Sequence, residues 1–158
     1  MKRIIPVVVL FVCTFCTFSS FAAAAKPEAV TIPLLREWVS EKYGSRIDKD
    51  GDLVINADGG KIFVTVYPKI KLLRICTRFA PFKKRTKQEM IDLANKFNDS
   101  RRLLRVSIRP NGGAFCDFHM VYNGGLDSVN FLEAVDWFLS LKSSWVEFVI
   151  NGGDKPKK

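Results

Sequence analysis

Between Thr31 and Ile150 the spacing of apolar residues switches in the order helix, three strands, helix, two strands, long helix, and that order constrains the fold more than any single residue does. Strands joined by short turns pair antiparallel, and helices that fall outside the hairpins must lie across one face of the resulting sheet. The pattern predicts the α+β class: an antiparallel five-stranded sheet with the order α-βββ-α-ββ-α. It lacks the βαβ repetition that builds nucleotide-binding crevices.

Each element has a local signal. Thr31 and Pro33 start a helix that carries Leu34, Leu35, Trp38, Val39 and Tyr43 on one side and is closed by Gly44. Asp48-Lys49-Asp50-Gly51-Asp52 turns the chain into a strand over Leu53 to Asn56. Its alternating acids resemble a calcium loop, but Leu53 stands where an EF-hand needs glycine, so the segment is read as a turn. Asp58-Gly59-Gly60 forms a hairpin into Lys61 to Tyr67, and the third strand runs from Leu72 to Phe79. After the basic cluster Lys83-Lys84-Arg85, Thr86 and Glu89 form a capping box for a helix with Met90, Leu93, Ala94 and Phe97 on one stripe. Strands at Leu103–Arg109 and Ala114–Tyr122 flank the turn Pro110-Asn111-Gly112-Gly113. Asp127 caps a last helix that is apolar nearly all round, with Lys142-Ser143-Ser144 as the place where it is expected to bend or break. Trp137, Trp145 and Phe148 are its expected anchors in the core.

The address precedes the fold. Met1-Lys2-Arg3 is a positive start, Ile4 to Phe21 is almost wholly apolar, and Ala22 to Ala25 supply small residues for a signal peptidase. Residues 1–25 therefore read as a signal peptide cut after Ala25, residues 26–150 as a single α+β domain, and residues 151–158 as a disordered basic tail. The expected location is periplasmic or secreted, with no membrane span after cleavage. Loss of Lys2 and Arg3 leaves 23 basic against 16 acidic side chains, a formal charge of +7. Such an excess favours acidic protein patches, and for an exported chain the reading is of no nucleic-acid partner.

Cys13 and Cys16 leave with the signal, so Cys76 and Cys116 are the thiols of the mature chain. Alternation puts Cys76 beside Arg74 and Arg78 on the polar face, and Cys116 beside Phe118 and Met120 toward the core. That arrangement argues against a disulfide and for a readily labelled Cys76.

Four stretches carry a resemblance: Gly51 to Ile55, Leu72 to Phe79, Leu93 to Asn98, and Asn130 to Phe138. In this order they resemble the bacterial YbjN family, which is labelled as sensory-transduction regulators and has no established biochemical activity. The resemblance spans nearly the whole mature chain. It implies a sandwich similar to type III secretion chaperones, which bind protein partners, dimerise and catalyse nothing. The export signal departs from that family's pattern.

The strongest functional pattern is a basic sheet face. Arg74 and Arg78 alternate on the third strand, and Arg105 and Arg109 on the fourth. Guanidinium forks suit carboxylates or phosphates, so the face is expected to receive an acidic segment of a protein partner or an anionic envelope component. The bland reading is a set of solvated side chains partly balanced by Asp117. A sharper reading uses Cys76 as a nucleophile with His119 as its base, an envelope thiol enzyme or hydrolase, provided the third and fifth strands are neighbours. His119 is the single histidine of the chain, which rules out a histidine-cluster metal site. The expectation is a non-catalytic binding module without metal or cofactor, with a homodimer through the last helix as a further partner.

Overall fold

In a computed structural model the chain is described at residues 23–57 and 60–153. The leader to residue 22, the Asp58–Gly59 turn and the tail from 154 to 158 fall outside the described residues. Helix α1 (Ile32–Ser40) precedes strands β1 (Gly44–Ile47), β2 (Leu53–Ala57), β3 (Gly60–Tyr67) and β4 (Leu72–Arg78). Helix α2 (Lys87–Ser100), strands β5 (Arg105–Ile108) and β6 (Ala114–Val121), and helix α3 (Ser128–Ile150) complete the domain. The strands form one antiparallel sheet in the order β1-β2-β3-β4-β6-β5.

The α+β class is as expected, but the sheet has six strands rather than five. The addition is β1, in which only Ser45 is half-buried and the other three residues are exposed. An edge strand pairs on one side only and needs no continuous apolar stripe, so alternation does not announce it.

Caps set the helix starts. Thr31 Oγ1 accepts from Leu34 N, Thr86 and Glu89 close a reciprocal capping box, and Asp127 accepts from Asn130 N. Helix α1 packs on β1, β2 and β3, α2 packs against β5, and α3 meets both other helices. Their buried residues share one core with Leu53, Ile55, Ile62, Val64, Leu73, Ile75, Val106, Ala114 and Cys116. These strand residues all belong to one face by register: Leu53 pairs Val64, Val64 pairs Ile75, and Ile75 pairs Phe118.

Helix α3 runs unbroken through Lys142-Ser143-Ser144. No proline or glycine interrupts it there, and the buried Lys142 ends beside Gly60. Phe97 of α2 meets Trp145 at 5.3 Å and Phe148 at 5.4 Å between ring centroids, an edge-to-face cluster that joins the two helices. Trp145 is fully buried as expected, whereas Trp137 is 59% exposed, since it falls on the outer side of α3. The helix ends in a Schellman turn: Gly153 N donates to Phe148 O, Gly152 N donates to Val149 O, and Gly152 takes φ +70°, where glycine avoids a side-chain clash. Asn151 to Gly153 thus belong to the fold, not to the tail.

The two sheet edges differ. Asp48 N donates to Asp52 O, and by antiparallel alternation the backbone groups of Ser45 and Ile47 then point away from β2, with no backbone partner among the described residues. At the other edge the Asn98 side chain of α2 donates to Val106 O at 2.9 Å and accepts from Val106 N at 2.8 Å. One amide thereby occupies both outward groups of Val106.

An open arginine face as the candidate functional site

The face of the sheet away from the helices is built by the other half of the alternation. Register places Arg46, Val54, Phe63, Cys76, Asp117 and Arg105 in one row across all six strands. Neighbouring rows align Thr65, Arg74 and His119, and Arg78, Phe115 and Ser107. Arg109 pairs with Gly113 just beyond β5 and belongs to the same side. All four predicted arginines therefore share one face, carried on strands separated by β6 alone. Asp117 is the one carboxylate of the strand residues on this face.

Three of the four arginines sit over aromatic rings of the same face. Arg74 sits over Tyr67 at 5.6 Å, Arg78 over Phe63 at 5.8 Å, and Arg109 over Phe115 at 5.9 Å from the ring centres. Each such contact is worth about 0.5–1 kcal/mol at an exposed site and orients the guanidinium plane. Arg74 also donates to Thr65 Oγ1 at 3.2 Å, and Arg105 pairs with the buried Asp117 at 3.4 Å while its own side chain stays 71% exposed. The floor is sheltered: Cys76, flanked on its own strand by Arg74 and Arg78, is 3% exposed, and Val54, paired with Arg46 and Phe63, is fully buried, although neither belongs to the helix-side core.

The sequence reading of Cys76 is corrected by that shelter. It lies on the polar face, but it is not accessible, because alternation reports the side a residue faces and not what its neighbours lay over it. Burial raises the thiol above its ordinary value, against the opposing charges of Arg74 and Arg78. Cys116 is pushed up to about 12 by burial and then by Asp117. Both thiols are free. They occupy adjacent strands on opposite faces, since Thr77 pairs Cys116 while Cys76 pairs Asp117, a geometry that a disulfide cannot span without breaking the ladder.

Strands β4 and β6 are neighbours, so Cys76 and His119 are diagonal on one face. Adjacency does not make a nucleophile, because a thiol raised by burial carries little thiolate. His119 Nε2 stands 3.7 Å from Asp117 Oδ2 and is solvent-exposed. Among the described residues no group of three His, Cys, Asp or Glu side chains could hold a metal ion.

Two further polar groupings support the fold. Lys42 Nζ pairs with Asp136 Oδ2 at 2.6 Å and Tyr43 donates to Asp136 Oδ1, tying the end of α1 to α3. Burial pushes the Asp136 carboxyl up, but the hydrogen bonds from Lys42 and Tyr43 outweigh it and hold the group below its ordinary value. The basic cluster before α2 lines a pocket of about 380 Å³ with Phe82, Lys83, Lys84, Arg85, Val149 and Ile150. There Arg85 donates to Val149 O at 3.1 Å, covering a carbonyl at the end of α3.

The model of the YbjN family, described as "Putative bacterial sensory transduction regulator", matches residues 34–151. The chain belongs to the YbjN family. No curated protein sequence matches it. Solved structures share the fold at low identity. The crystal structure of YbjN, a putative transcription regulator from E. coli, superposes with a TM-score of 0.63 at 9% identity, over 77% of this chain and 93% of that one. An uncharacterized protein from Methanothermobacter thermautotrophicus gives 0.59 at 10% identity, over 79% and 100%. The HopA1–SchA chaperone–effector complex gives 0.54 at 13%, over 73% and 91%. Within this YbjN-type fold the four expected arginines share one face, and the sequence pattern left unnoticed Arg46 and the aromatic floor of Phe63, Tyr67 and Phe115 beside them. The signal for the floor was available, since those rings alternate with the core residues of β3 and β6.

Proposed function

We propose that this YbjN-family protein is an exported, non-catalytic binding module whose open arginine face receives an acidic segment of a protein partner in the envelope. The observation that carries the reading is the placement of Arg74, Arg78, Arg105 and Arg109 on the one sheet face that no helix among the described residues covers. The guanidiniums of Arg74, Arg78 and Arg109 are seated over aromatic rings, so less side-chain freedom is lost when a carboxylate arrives. The SchA–HopA1 structure is a chaperone with its effector, and its likeness in fold supports a protein partner here. Export rests on the leader pattern of residues 1–25. The thiol-enzyme reading has less support, because the Cys76 thiol is raised by burial and lies beneath arginine stems.

Capture from an envelope fraction by the mature protein tests the reading. Reversing two of the three exposed arginines among these four, Arg78→Glu with Arg109→Glu, is expected to abolish capture while each shifts stability by about 1 kcal/mol or less. Capture by the unmodified protein is expected to weaken as salt rises, since exposed charges are screened over about 10 Å at 0.1 M. Salt-insensitive capture that survives the reversal would overturn this face as the site and direct attention to Val129 and Trp137 on the outer side of α3.

A further inference from the structure

The small-residue run that ends the leader offers more than one cut. Cleavage after Ala24 places Ala22 at −3 and Ala24 at −1, and cleavage after Ala25 places Ala23 and Ala25 there. The two products differ by one residue, and the fold treats that residue as its own. Ala25 N donates to Leu126 O at 2.7 Å and Leu126 N donates to Ala25 O at 3.0 Å, a two-way bridge between the start of the domain and the turn before α3. Ala25 is half-buried and packs against the main core, whereas Ala23 and Ala24 are exposed. Gly125 makes room for it: a Cβ there would lie 2.6 Å from the Ala25 carbonyl oxygen, and φ is +101°.

From this bridge we infer that the mature protein begins at Ala25, one residue earlier than the sequence pattern alone suggests. The inference rests on the export reading given above. In the cut, water adds across the Ala24–Ala25 peptide bond under a signal peptidase, leaving a carboxylate on Ala24 and an ammonium on Ala25. That ammonium keeps the bond to Leu126 O and makes it charge-assisted, at a length within the range of such bonds. A cut after Ala25 would remove the whole bridge and leave the Leu126 N–H and C=O without this partner.

The test is the intact mass and amino-terminal sequence of protein purified after expression of the full precursor in a bacterium. A first residue of Ala25 is expected. Lys26 or Ala23 in that place overturns the assignment while leaving export intact, and a retained Met1 overturns the export reading itself. A second arm compares chains starting at Ala25 and at Lys26, each released from an amino-terminal fusion that leaves no extra residue. The Lys26 chain is expected to melt several degrees lower, and Gly125→Ala is expected to lower the melting temperature more in the Ala25 chain than in the Lys26 chain. Equal melting of the two chains, with an equal effect of Gly125→Ala in both, would remove the bridge as support for a start at Ala25.

Discussion

The two faces of this sheet reach burial by different means. On one, three helices cover Leu53, Ile62, Leu73 and Ile75, and rings from α2 and α3 interlock above them. On the other, no helix lies among the described residues, yet Val54, between Arg46 and Phe63, and Cys76, between Arg74 and Arg78, are as inaccessible as core residues on a face where arginines sit over Phe63, Tyr67 and Phe115. The first kind of cover is apolar and fixed by packing. The second is cationic, made of separate side chains, and is removable one chain at a time. A partner that drew the guanidiniums to itself would act on the second face without disturbing the first.

The contrast can be broken most forcefully on the helix side. Trp145→Ala removes a fully buried ring from the cluster with Phe97 and Phe148 and is expected to cost about 3–5 kcal/mol, read as a lower denaturation midpoint at unchanged slope. A cost below about 1 kcal/mol would mean that this face is not the main source of stability. The open face is expected to yield less energy but a clearer chemical signal. In the native protein a thiol reagent is expected to spare Cys76 and Cys116 alike. Arg74→Ala with Arg78→Ala is expected to cost about 1–2 kcal/mol and to let Cys76 react while Cys116 stays protected. Continued protection of Cys76 would show that something other than arginine stems covers it.

The smallest effect concerns acid. The Asp136 carboxyl is held low in the folded state, so its contribution is present above the ordinary value of 3.8 and is lost as pH falls through the lowered one. Melting temperature is expected to fall slightly more on acidification below that value for the parent protein than for Asp136→Asn. Parallel profiles for the two proteins would show that the link from α1 to α3 contributes nothing.

Much of this was legible in the sequence where the signal is local. Thr31, Thr86 with Glu89, and Asp127 mark helix starts because a cap needs only the next three residues, and the alternation of β3, β4 and β6 sorts core from open face residue by residue. What escaped depends on distant partners. The edge strand β1 has too little apolar contrast to be read, and the neighbourhood of β4 and β6 is fixed by a connection through α2 and β5 that no local pattern encodes. The burial of Cys76 was missed for a third reason: arginine counts as polar in any alternation, although its stem and its ring contact cover apolar floor. Trp137 shows the reverse error, since a helix that looks apolar all round still has an outside.

The amide of Asn98 has a consequence for assembly. Sheets that join edge to edge grow without limit only if each unit offers two open edges, and here the β5 side is occupied at Val106 from within the chain. At β1 the outward backbone groups of Ser45 and Ile47 have no backbone partner among the described residues, so an added strand is expected to pair there more readily than along β5. A strand arriving at β5 would first have to displace the Asn98 amide from Val106, so the helix α2 side chain guards the middle of that edge.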